Sequence, residues 1–243
     1  MFGFDPEQMR TRLTESGDAK FPTRKFSLLY GTIGFCLISL LVFGIWAFAG
    51  RLLTQSIGEG GFYAVCAVAF IGLSGFLFNR LLIGEKTLLR FCILFAIAFI
   101  AYSALWCLAW FMLRAPMPKM PILTPARIAG LIGALLGVIA MNAVFCAGFR
   151  NWKPFVKATL ILFVSNAVGY FLGDAVFNWL LFSENAASLQ ITSGTRALLA
   201  MLGWGFFYGL GFGYGISDTL YRLQAPVREG FTGSSSKPST TSE

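Results

Sequence analysis

The sequence contains no histidine. That excludes histidine-ligated haem, most catalytic zinc sites and any triad or proton relay built on imidazole. Charge is also scarce. Only 12% of the residues are Asp, Glu, Lys or Arg, about half the share of an ordinary soluble domain. A soluble chain with so little charge could not cover its surface. The five cysteines, at 36, 66, 92, 107 and 146, form no CxxC pair and lie inside apolar runs. They read as small hydrophobes, and their spacing suggests no metal. No nucleophile stands beside a base, and no two carboxylates share an apolar run. The chain therefore reads as a non-enzyme with no cofactor and no metal.

What the sequence has is apolar length. Of its 243 residues 56% are hydrophobic, 26 are Phe, and the mean hydropathy is +0.71. Six apolar runs stand out, at 26–49, 61–83, 88–113, 128–149, 155–182 and 197–223. About 20 apolar residues cross the hydrocarbon of a bilayer, so each run predicts a spanning helix. The fold class expected is all-α: a polytopic membrane protein with six transmembrane helices. Residues 1–25 form an N-terminal tail with room for a short surface helix, 26–223 the membrane domain, and 224–243 a disordered tail. The Ser, Thr and Gly of the last stretch bury too little apolar surface to order it.

All nine prolines fall outside the six runs, where they break no helical hydrogen bond. Pro154 sits at the first turn of the fifth helix. Four more, at 116, 118, 121 and 125, predict an extended third connection. Trp46, Trp106, Trp110 and Trp179 cluster towards one membrane face and Trp152 marks the other, as indoles favour the headgroup level. Ala47-Phe48-Ala49 after Arg24 and Lys25 has the outline of a cleavable signal, but the apolar stretch is too long and the preceding tail too acidic.

The net charge of +8 sits at the ends of the runs rather than on one soluble face, which argues against a nucleic-acid partner. The two tails with the second and fourth connections hold 14 of the 19 Lys and Arg. The richer side faces the cytoplasm, so both ends are expected inside. The third connection, with Arg114, Lys119 and Arg127, is the exception. The location expected is the cell membrane, of the bacterial inner-membrane type. Arg80, Lys86, Arg150, Lys153 and Lys157 read as cytoplasmic anchors for anionic lipid headgroups. The shared spacing of Lys86/Arg90 and Lys153/Lys157 hints at a two-helix repeat, though basic anchors at the start of outgoing helices explain it equally.

Polar groups inside the hydrocarbon are costly, so their pattern is informative. Asn166, Tyr170, Asp174 and Asn178 recur every four residues along the fifth run. Four residues advance about 400°, so they form one slowly drifting stripe. It reads either as the wall of a pathway or as a set of interhelical contacts, with Asp174 capped by hydrogen bonds or paired to Arg196. The sixth run carries Gly205, Gly209, Gly211, Gly213 and Gly215, residues that let helix backbones approach closely. It is not a nucleotide loop, since no strand precedes it. Small and polar residues concentrate in helices four to six, which predicts a packed C-terminal half shielded by the first three. The function expected is an accessory or assembly subunit of a membrane complex, with other transmembrane helices or further copies of the chain as partners. The alternative is a small-solute or ion transporter or channel that uses the polar stripe.

Overall fold

The computed structural model describes residues 2–16, 21–84, 87–113, 124–188 and 190–234. All elements among them are helical: α1 (Pro6–Ser16), α2 (Arg24–Gly44), a wide π turn (Ile45–Ala49), α3 (Gly50–Asn79), α4 (Leu88–Leu113), α5 (Pro125–Phe149), α6 (Phe155–Phe182), α7 (Glu184–Ala187), α8 (Ser193–Leu223) and α9 (Ala225–Ser234). Five segments are long and apolar enough to cross a membrane, the first being Arg24–Asn79 with 56 residues. These lengths fit a multi-spanning membrane protein.

The helix starts are written in short-range chemistry. Thr23, Thr124 and Thr192 are extended N-caps whose hydroxyls accept from the amides of Phe26, Arg127 and Thr195. Each satisfies an amide that the helix itself leaves without a carbonyl. Pro125 follows its cap in the first turn, where a missing N–H costs nothing. Pro154 is itself the residue before α6, one position earlier than its expected place in the first turn. The end of α5 is marked by Arg150 in the left-handed region (φ 49°), where its amide reaches back to Ala147 and Cys146.

The first two runs were expected to be separated by a connection at 50–60. Helix continues through that region instead, and the break is the single residue Gly58 (φ 76°, ψ 170°). Only glycine adopts such angles without strain. The chain packs back on itself there. The Phe35 ring of α2 lies 5.5 Å from Phe70 and 5.7 Å from Phe78 of α3, and Gly50 faces Phe62 across the turn. The other prolines of the third connection, at 116, 118 and 121, lie outside the described residues.

The broadest helix contacts are α6 with α8, α2 with α8 and α4 with α5. The expected division, a packed C-terminal half shielded by the first, is therefore corrected: α2 is part of the centre. Its buried face is Ser27, Gly31, Phe35, Ser39 and Val42, small residues and one ring at helical spacing. α3 bridges α2 to α4. A ladder of phenylalanines fills the middle, with Phe35 5.5 Å from Phe212 and Phe95 6.2 Å from Phe145.

The first and last described helices, α1 and α9, lie together at one end, where they are built into the body. Phe4 stacks on Phe149 at 5.0 Å, and Met9 and Leu13 of α1 are buried. The 224–243 tail was expected to be disordered, but its described part, up to residue 234, is folded. Val227 is buried, and Arg10 of α1 donates to the Pro226 carbonyl of α9. Gln224 explains why the chain is held here. Its side chain accepts from the Ile83 amide (2.7 Å) and donates to the carbonyls of Leu81 (3.2 Å) and Leu220 (2.9 Å). One amide thus satisfies the backbone of the α3–α4 connection and of the last turn of α8.

Candidate functional site

The α6 stripe divides in two, because four-residue steps drift about 40° each. Asn166, fully buried, turns towards α4 and donates to the Tyr102 hydroxyl at 3.0 Å. Its Oδ1 has no partner among the described residues. Tyr170 stands edge-on to Trp204 (5.8 Å) and Trp106 (6.4 Å). Asp174 and Asn178 face the start of α5. Asp174 Oδ2 accepts from Arg127 Nη2 at 3.2 Å, and Asp174 Oδ1 accepts from Asn178 Nδ2 at 2.8 Å. Asp174 lies about 12 Å before the end of α6.

The partner of Asp174 is therefore Arg127 and not Arg196, whose buried Nε has no partner among the described residues. The reason is geometric. Arg127 is in the first turn of α5, and α5 lies along α6. Arg127, one of the basic residues that make the third connection an exception to the charge asymmetry, is thus the counter-ion of the part-buried Asp174.

Beside the stripe lies a cavity of about 290 Å³ walled by Phe43, Phe70, Phe99, Tyr102, Trp106, Tyr170, Trp204 and Tyr208, with Ser103 and Cys107 completing it. Five helices contribute. Ring faces dominate, and the tyrosine hydroxyls and Ser103 are its polar points. Such a cavity suits a flat or branched apolar group with one or two polar atoms. The sequence reading picks out Tyr170 and Trp106 one by one. It does not assemble them, because the wall comes from residues up to 165 positions apart.

The glycines of α8 serve two neighbours. A Cβ on Gly205 would meet the Phe43 ring at 2.8 Å. On Gly209 it would meet Cys36 Cα at 2.7 Å, and on Gly213 Phe35 Cβ at 2.8 Å. All three face α2. A Cβ on Gly211 would fall on the Ser165 carbonyl, and one on Gly215 would meet Leu162 Cα at 2.8 Å. Both of these face α6. Residues two apart on a helix differ by about 200°, so alternate glycines address opposite sides. Gly205 also leaves its carbonyl open to Ser39 Oγ, which donates at 2.7 Å.

At the end carrying α1 and α9, Asp218 is completely buried between Arg24 (3.2 Å) and Arg222. Arg24, 194 positions away, could not be matched to Asp218 by spacing. Arg80 is exposed, 5.3 Å from the Phe76 ring. Arg150 pairs with Asp5 at 3.6 Å. Lys153 and Lys157 are exposed at the start of α6, and Lys86 lies outside the described residues. Arg228 lies over the Tyr221 ring at 3.7 Å, and burial lowers its pKa from the usual value.

Among the described residues no three His, Cys, Asp or Glu side chains come together as metal ligands. Comparison with models of protein families, with curated proteins and with solved structures finds no match to this chain.

Proposed function

We propose that the chain crosses a cell membrane six times with both ends in the cytoplasm, and that it acts there as a non-catalytic accessory or assembly subunit. Six crossings are supported by the reversal at Gly58, which divides the 56-residue first segment into two helices packed along each other. The even number agrees with the segments before α2 and after α8 meeting at one end, through Phe21 and Phe231 (5.5 Å between rings). The orientation rests on the Lys and Arg asymmetry.

The role rests on one observation above all: Asp174, the acid furthest inside the spans, is already held by Arg127 and Asn178. Polar side chains bonded to a neighbouring helix in this way hold transmembrane helices together. Asp174 is bound as interhelical glue is bound. The outer surfaces of α2, α4 and α6 are rows of large apolar side chains, including Leu29, Ile33, Leu37, Leu89, Ile93 and Leu160, suited to lipid or to the helices of another chain.

A second reading has its own support. The aromatic cavity beside Asn166 offers room for a neutral solute, which would make the chain a binder or carrier of such a molecule. Gentle solubilisation at native expression level, followed by native mass spectrometry, separates the two. The subunit reading expects a second membrane chain in fixed ratio. A chain that stays alone and carries solute flux when reconstituted by itself overturns it.

A further inference from the structure

The end of the bundle that carries α1 and α9 contains a second cavity, of about 520 Å³, bounded by Arg24 of α2, Asn151, Lys153 and Lys157 around the start of α6, Arg222 at the end of α8, and Glu229 of α9. We propose that it binds the phosphate of an anionic phospholipid headgroup.

Charge is the first argument. Four cations line the cavity. Asp218 lies buried beside Arg24 and Arg222, so one carboxylate serves two guanidinium groups. Lys153 and Lys157 make no ion pair among the described residues. With Glu229 as the other acid, the pocket keeps an excess of positive charge. Phosphate oxygens accept from several such donors at once, and charge-assisted bonds of this kind are the strong ones.

Shape and position are the second. Asn151 fixes the floor: its Nδ2 donates to the Leu223 carbonyl at 2.9 Å and its Oδ1 accepts from the Lys153 amide at 3.2 Å. The lysine backbone is thereby tied to the end of α8. The start of α6 has no side-chain cap, so the positive end of its dipole adds to the field.

The third argument selects a lipid over a free phosphate. Beyond Lys157, α6 presents Leu160, Val164, Val168 and Leu172 as exposed apolar side chains at four-residue steps, within about 60° of the lysine's direction around the helix. A phosphate held at Lys153 and Lys157 would leave its acyl chains lying along that row. Basic pockets at helix ends are where anionic headgroups bind. The inference requires that the helices span a bilayer. It does not require the subunit role, and it stands if that role fails.

The test uses the full chain, purified and stripped of lipid, with native mass spectrometry of phosphatidylglycerol and phosphatidylcholine adducts. Phosphatidylglycerol should bind more tightly than phosphatidylcholine. Lys153→Gln with Lys157→Gln should weaken it by roughly 25-fold, since each basic group near anionic lipid contributes about a factor of five. Arg80→Gln, a basic residue elsewhere at this end, should stay within about twofold. Raising the salt on the unaltered protein should also weaken phosphatidylglycerol binding, a readout independent of how the variants fold. Equal binding of the two lipids, an unchanged double variant, or complete displacement by inorganic phosphate at matched concentration would each overturn the assignment, the last by pointing to a soluble phosphate.

Discussion

Gly211→Leu should prevent the chain from reaching a stable fold, while Gly72→Leu should be tolerated. The two substitutions are chemically identical and both lie in long apolar helices. At Gly211 a Cβ would coincide with the Ser165 carbonyl and sit 3.0 Å from Gly169 Cα. Those are backbone atoms of α6 and cannot rotate away, so the helices would have to separate. Gly169 closes the contact from the other side, since its own Cβ would strike the Phe207 carbonyl. Overpacking a close interior typically costs about 1–3 kcal/mol, and forcing two backbones apart belongs at or beyond the upper end. Around Gly72, apart from its own chain neighbours and local helix backbone, no atom lies within 4 Å of the Cβ position. Thermal unfolding in detergent, with fluorescence-detected size exclusion as a check of folding, measures the difference. A stable Gly211→Leu protein would mean that α6 and α8 are not in backbone contact.

Asp174→Leu should destabilise the chain by about 1–2 kcal/mol, because it strands the Arg127 guanidinium and removes a bond to Asn178. The value is kept low because Arg127 is 41% exposed and can turn to water. Asp174→Asn keeps the shape and part of the hydrogen bonding, so it should cost less than about 1 kcal/mol. The stronger expectation is coupling. Arg127→Gln should be less harmful in the Asp174→Asn background than alone, and Arg196→Gln should show no such dependence. Coupling to Arg196, or none to either arginine, would contradict the pairing seen here. A variant that folds as the parent does yet abolishes a measured flux would move Asp174 from glue to transport.

The helices are legible in the sequence because nothing but a spanning or deeply buried helix uses runs so long and so poor in charge. Their neighbours are not. Asp174 and Arg127 are 47 positions apart, and Asp218 and Arg24 are 194 apart; periodicity reports the face a residue occupies and not what lies opposite. The reversal at Gly58 was hidden for a different reason. Gly58, Gly60 and Gly61 look alike as letters, while only the angles adopted show that Gly58 carries the turn. On α2, Ser27, Gly31 and Ser39 stand at four-residue and eight-residue intervals, a signal of close packing that was present and easily passed over among the leucines. α9 is short and polar on its outer side, so its composition resembles that of a tail. What orders it is Gln224, one residue before it, through bonds to backbone far away in sequence.

Cysteine labelling in intact cells measures directly the number of crossings and the side on which each connection lies. Glu59→Cys places a thiol beside Gly58, at the tip of the α2–α3 reversal, and Ser242→Cys places one near the C-terminus. With labelling of the parent protein subtracted, a membrane-impermeant maleimide should react with the first from outside. It should reach the second only after the membrane is opened. Protection of position 59 in intact cells, or free reaction of position 242, would contradict six crossings with both ends inside.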